Sequence, residues 1–354
     1  MLEWYATTSQ VSWLFLLSAW VLALLVASFG YALWNRAGLR VHLDLGLTRP
    51  APDSPVEQLP EHLMRSGPYP APIFEGDAID LEVGLQTTGA SRGPVWVKGA
   101  AAGEDISLAT GLVPKRGWRQ AHSCRELRRG PLGATGWTIG AGDPLGFFQG
   151  TRRQADRELG LVLPKFKSLG TRLETRELEA SVAAPRTGSG SEVFGIREYR
   201  PGDPLRRIHW RSSARHGELV VREFEPPGVR TLCIYLDGSP PSPWIADQLA
   251  RIAASEAWDC IREGGRVVLW APGIEPSKQP RDLWAQFEWL ARYPSGDEGD
   301  VPRAGDEVVV VVAHADDAVL AAAAGFRHRR GWIVGDEAVE ADFPLERVGT
   351  SWPL

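Results

Sequence analysis

A chain of 354 residues with 44% apolar and 23% charged side chains is long enough for two domains and too apolar for disorder. Its formal net charge of -5 argues against general nucleic-acid affinity, which needs a positive surface. The three cysteines, Cys124, Cys233 and Cys260, form no CxxC pair, so they give neither a disulfide framework nor a zinc site and read as reduced thiols of a cytosolic body.

Residues 11–34 carry no charge, and a helix needs about 20 residues to cross the hydrocarbon core of a bilayer. Trp13, Tyr31 and Trp34 stand near the ends of this run, where amphipathic rings favour the headgroup layer. A cleaved signal peptide requires a basic start, yet the first ten residues hold only Glu3 as a charged side chain. The expectation is a transmembrane anchor over residues 1–38. Arg36, Arg40 and Arg49 follow it, and the positive-inside rule then places the bulk of a single-pass, inner-membrane protein in the cytoplasm.

Residues 39–165 read as a β-sandwich. Ile79, Leu81, Val83 and Leu85 alternate with Asp80, Glu82 and Gly84, the period of a half-buried strand. Further short strands are expected at 95–97, 106–112, 119–127 and 137–139, with glycines and prolines between them. The proline-rich residues 50–72 are expected to form a long surface loop. Residues 166–228 read as a linker and a charged block, with a flexible Gly-Ser-Gly-Ser joint at 188–191.

Residues 229–354 change pattern. Apolar strands at 229–236, 267–270, 307–313 and 332–334 alternate with helices at 244–262, 282–292 and 316–324. Strands apolar on both faces, separated by helices, imply a mostly parallel sheet covered on both sides. No GxGxxG or Walker A pattern supports a nucleotide site. The fold class expected is a membrane-anchored α+β multidomain protein: transmembrane helix, β-sandwich, then α/β domain.

The charged block interleaves Arg197, Arg200, Arg206, Arg207, Arg211, Arg215 and Arg222 with Glu198, Asp203, Glu218, Glu223 and Glu225. Near balance of the two signs favours ion pairing within the chain over nucleic-acid contact. Two roles stay open: a scaffold joining sandwich to sheet, and a partner-binding surface that includes Tyr199, His209 and Trp210. A hydrolase built on His209 and Asp203 lacks a Ser or Cys in a nucleophile pattern.

The run Phe-Gly-Ile-Arg-Glu-Tyr-Arg-Pro-Gly-Asp at 194–203, then Arg-Arg-Ile-His-Trp at 206–210 and Ser-Ala-Arg at 213–215, resembles the signature of the bacterial "domain of unknown function 58" family. Asp-Pro-Leu-Gly-Phe-Phe at 143–148 and Glu-Gly-Asp at 75–77 resemble its upstream elements. The resemblance implies a C-terminal von Willebrand factor A-like, Rossmann-like domain. It also implies a MoxR-type AAA+ ATPase as partner, and in many relatives a transglutaminase-like membrane protein. The function implied is a non-enzymatic membrane adaptor in assembly or maturation of other proteins. Relatives often have two membrane helices where this chain shows one.

The alternative implied is a Mg²⁺-dependent ligand-binding module. An A-domain metal site needs Asp-x-Ser-x-Ser, whose oxygens suit the hard octahedral shell of Mg²⁺. Here Asp237-Gly-Ser-Pro-Pro241 keeps Asp237 and Ser239, while Pro241 offers no side-chain oxygen and Ser242 comes one position late. Asp316 and Asp317 follow the valine-rich strand and can approach the same edge. The competing reading makes Asp237 the cap of a turn at a degenerate site.

Overall fold

The computed structural model describes residues 12–66, 68, 71–169, 193–198, 220–224, 230–305 and 307–351. The chain forms two compact units: Met1–Lys165 with Phe287–Tyr293, and Phe166–Gln286 with Pro294–Leu354.

The first unit opens with α1 (Ser12–Ala37), 26 residues and so about 39 Å long. It is long and apolar enough to cross a membrane. Over its first two-thirds, side chains such as Trp13 and Trp20 are exposed. The last third is different. Ser28 Oγ donates to Asp143 Oδ2 (3.1 Å), Tyr31 Oη donates to the Gly93 carbonyl (2.7 Å), and buried Asn35 donates to the carbonyls of Pro94 and Gly142 (3.2 and 2.8 Å). The guanidinium of Arg92 lies 3.5 Å from the centre of the Trp34 ring. Tyr31 and Trp34, expected as headgroup rings, thus have protein partners. These polar bonds tie the end of the helix to the body that follows.

One residue separates α1 from β1 (Leu39–Arg49). That residue is Gly38, where a Cβ would sit 2.7 Å from the Arg92 guanidinium. A three-stranded antiparallel sheet has the order β1, β3 (Ala78–Thr87), β6 (Trp118–Cys124). A six-stranded sheet has the order β2 (Ile73–Phe74), β9 (Arg157–Leu163), β7 (Gly130–Gly142), β4 (Val95–Ala101), β5 (Glu104–Thr110), with β8 (Gln149–Arg153) also paired to β7. The alternating Ile79, Leu81, Val83 and Leu85 of β3 share one apolar cluster with Val97, Ile106, Trp137 and Ile139 of the other sheet. Each such side chain, fully buried, contributes roughly 1.5–3 kcal/mol.

The proline-rich segment is not a plain loop. Pro55–Gln58 form a 3-10 turn and Glu61–Ser66 form α2, with Pro55 and Leu59 buried. Proline at the first position of a helical turn has its φ already set and loses no donor that the turn needs. Within this unit, Arg129 donates to the carbonyls of Leu290, Ala291 and Tyr293, at a helix end whose last carbonyls lack partners along the helix.

The second unit is built on five parallel strands in the order β13 (Arg266–Trp270), β12 (Thr231–Leu236), β14 (Glu307–Val312), β15 (His328–Val334), β16 (Leu345–Val348). Strands β12, β13 and β14 are buried on both parities, as a sheet covered on both faces requires. Between strands run α3 (Pro243–Arg262) and α5 (Asp317–Ala323), while α4 (Leu283–Arg292) belongs from Phe287 onward to the first unit. Val319 and Ala323 of α5 join Cys233, Tyr235, Val308, Val310 and Val312 in one cluster, while α3 lies across β12 to β15. Buried Glu256 of α3 accepts both terminal nitrogens of Arg330 (2.5 and 2.8 Å) and the Trp332 indole (2.6 Å). That charge is therefore matched by hydrogen bonds on both oxygens, the condition for burying it.

The expected linker begins as part of this unit. Ser168 Oγ and the Leu169 N–H donate to the two oxygens of Asp259 (2.7 and 2.6 Å), and Phe166 packs on Trp258. In the charged block, β10 (Val193–Glu198) pairs antiparallel with β11 (Val220–Phe224).

Candidate functional site

Numbered within the second unit alone, its sheet has the order 2-1-3-4-5. In such sheets the chain winds away in opposite directions from the first strand, β12, and the third, β14. Their carboxyl ends open a crevice where ligands bind. Asp237 directly follows β12, and His314 and Asp316 lie just beyond β14. The topology thus places these residues at the switch point.

Asp237 is fully buried. Its N–H extends the β-ladder to the Val311 carbonyl at 3.1 Å. Its Oδ1 accepts from the Ser239 N–H (2.9 Å) and its Oδ2 from the Ala313 N–H (3.2 Å). The His314 Nδ1 lies 2.7 Å from Oδ2, at ion-pair distance but off the line of a straight hydrogen bond. Asp316 works from the other strand. Its Oδ2 accepts from the Gly238 N–H (2.9 Å), and its Oδ1 caps α5 through the N–H groups of Ala318 and Val319 (3.0 and 3.2 Å). The two aspartates therefore stitch the loop after β12 to the loop after β14. A Cβ at Gly238 would sit 2.8 Å from the Pro272 ring.

The oxygens that the sequence offers to a divalent cation already carry hydrogen bonds, and one position of the pattern has no side-chain oxygen. Both oxygens of Asp237 and of Asp316 accept backbone N–H groups. Ser242 accepts from the Ile245 N–H (3.3 Å) as the cap of α3, and Pro241 has no ligand atom. Ser239 is exposed on the same loop. Asp237, Ser239 and Asp316 are thus brought together as a polar lock on two loops. The sequence pattern gave no reason to single out His314, because its position depends on β14 lying beside β12.

Of the charged block, Arg197 lies on β10 opposite Val221 of β11. Tyr199, Arg200, Asp203, Arg206, Arg207, His209, Trp210 and Arg215 lie outside the described residues.

A second group was not legible from spacing. Glu104 of β5 and His122 and Cys124 of β6 bring their ligand atoms within 4.8 Å of one another. His122 Nε2 and Glu104 Oε2 are 3.0 Å apart. Burial first, then the charges of Glu104 and Asp80, push the Cys124 thiol up to about 11. A soft metal needs the thiolate, so at neutral pH this trio is a hydrogen-bonded pair beside a protonated thiol.

Residues 195–321 match the family described as "Protein of unknown function DUF58". The chain is also similar to the "Uncharacterized protein YeaD" of Bacillus subtilis (strain 168), 23% identical over 169 residues. That match covers 47% of this chain and 42% of the relative, so the chain spans less than half of the relative's length. Over residues 195–321 the chain is thus similar to the DUF58 family of proteins of unknown function.

Proposed function

We propose that this chain is a non-enzymatic, membrane-anchored adaptor. Its parallel-sheet unit, read as von Willebrand factor A-like, docks a MoxR-type AAA+ ATPase during assembly or maturation of other proteins. The observation that carries this reading is the lock at the switch point. Asp237 and Asp316 spend their oxygens on the backbone of two loops. Loops held rigid on a scaffold bind a partner with little ordering cost. The first unit, read as a β-sandwich, links that surface to the anchor α1, and a transglutaminase-like membrane protein is a further partner in the same membrane. Arg36, Arg40 and Arg49 after α1 support a cytoplasmic body.

The Mg²⁺-dependent reading draws on the meeting of Asp237, Ser239 and Asp316 in one crevice. It lacks the third side-chain oxygen of the pattern, which Pro241 cannot supply, so it ranks second. Crosslinking in native membranes, affinity purification of the full chain and mass spectrometry test the adaptor. Recovery of an AAA+ ATPase supports it, and repeated absence of one overturns it. Mn²⁺ soaking with an anomalous peak at Asp237 would establish the second reading instead.

A further inference from the structure

The turn between β7 and β8 is Asp-Pro-Leu-Gly-Phe-Phe, residues 143–148. Asp143 closes it. Its carboxylate accepts the N–H groups of Phe148 (2.6 Å) and Leu145 (2.9 Å), and its own N–H donates to the Phe148 carbonyl (3.1 Å). Gly146 takes φ +78°, the left-handed region that glycine adopts without strain. The Ser28 hydroxyl donates a further hydrogen bond to the Asp143 carboxylate (3.1 Å). The turn is therefore stiff. It nonetheless holds Leu145 and Phe147 out at 55% and 54% exposure, with Pro144 and Gly146 exposed beside them.

The turn sits at a fixed height along α1. Ser28 bonds Asp143, and the Phe29 ring meets Phe148 edge-on with centroids 5.3 Å apart. The charge-free run ends at Trp34, and about 20 residues of it suffice for a span. Asn35, bonded to backbone carbonyls, and exposed Arg36 then end the apolar run. At 1.5 Å per residue, Ser28 lies about 10 Å on the lipid side of Asn35. Interfacial apolar side chains sink to about the same depth. Arg36, whose guanidinium lies over Gly150 of β8, and exposed Arg40 stand beside the turn, suited to anionic headgroups.

We infer that the 143–148 turn is a membrane wedge: Leu145 and Phe147 enter the headgroup–acyl boundary of the leaflet from which α1 emerges, and clamp the first unit to the lipid surface. This rests on the reading of α1 as a membrane anchor. Two exposed apolar side chains on a stiff tip, beside an apolar helix at its membrane boundary, have lipid as their matching partner.

The test uses the full chain in nanodiscs of phosphatidylcholine and phosphatidylglycerol. Leu145→Cys, Phe147→Cys and Trp20→Cys each receive an environment-sensitive maleimide dye; the three native cysteines are buried and do not compete. The dyes at 145 and 147 are expected to lose emission to lipids with a spin label near the headgroup and to resist aqueous iodide. The dye at 20 is expected to lose emission to a spin label deep in the acyl chains. If iodide quenches 145 and 147 as it quenches free dye while 20 still responds to deep lipid, the wedge is wrong and the anchor stands. If 20 also lies in water, the anchor reading fails and the wedge with it.

Discussion

Replacing Asp237 with alanine removes the acceptor of two backbone N–H groups and the partner of His314. The Ala313 N–H is buried, and a buried donor left unpaired costs about 1–3 kcal/mol. Ser239 is exposed, so water replaces much of its lost bond. Adding the His314 contact brings the expected cost to about 2–4 kcal/mol. For a unit of this size that lowers the melting temperature by about 4–16 °C. Asp237→Asn keeps one oxygen acceptor and should cost about half as much. The assay is thermal unfolding of the full chain in detergent, in chelator and then with Mg²⁺. The account predicts that chelator and Mg²⁺ give the same curve for the parent chain, and that the drop for Asp237→Ala is present in both. The reasoning is refuted if Asp237→Ala melts like the parent in chelator while Mg²⁺ stabilises only the parent. Asp237 would then be an ion ligand and not a lock.

Acid should loosen the second unit through Glu307. Burial works to raise its pKa, but the hydrogen bond and charge of Arg230, with Arg330 and His328, hold it below its ordinary value. A depressed folded-state value means the unfolded state takes up protons first. The stabilisation is complete above the unfolded value of about 4.3 and is lost as pH falls through the folded one. Glu307→Gln should flatten stability against pH in that window, and an unchanged slope in denaturant titrations would count against the pairing. The native thiols should stay inert: burial pushes Cys124 and Cys260 up to about 11 and raises Cys233 as well. At neutral pH a maleimide should label all three only after unfolding, and Co²⁺ should produce no thiolate-to-metal charge-transfer band; a band that Cys124→Ser abolishes would make the Glu104–His122–Cys124 trio a metal centre.

The elements with strong local periodicity were the legible ones. α3 repeats apolar residues along one face, and β3 alternates cleanly, so sequence places both within a few residues. β14 is a valine run, which marks a strand buried on both faces. β16 was missed because Leu-Glu-Arg-Val is short, half-charged and at the sheet edge. The proline-rich segment misled because composition reports what proline disfavours inside elements, not the turns it starts. At the site, sequence identified Asp237 and Ser239 from one short run and Asp316 from the end of a strand. It gave no access to the bonds between them, since those depend on strand order. The same holds for residues 143–148: their pattern stood out, while their place beside Ser28 and Phe29 rests on contacts more than a hundred residues apart in sequence.

The most direct measurement of the central claim is binding between the full-length chain in nanodiscs and a purified MoxR-type AAA+ ATPase, followed by mass photometry across nucleotide states. The account predicts a complex that keeps its affinity when Ser239, the exposed hydroxyl of the switch-point loop, is replaced by alanine. It also predicts that the complex is weakened when Asp237→Ala releases the two loops. No complex in any nucleotide state would contradict it.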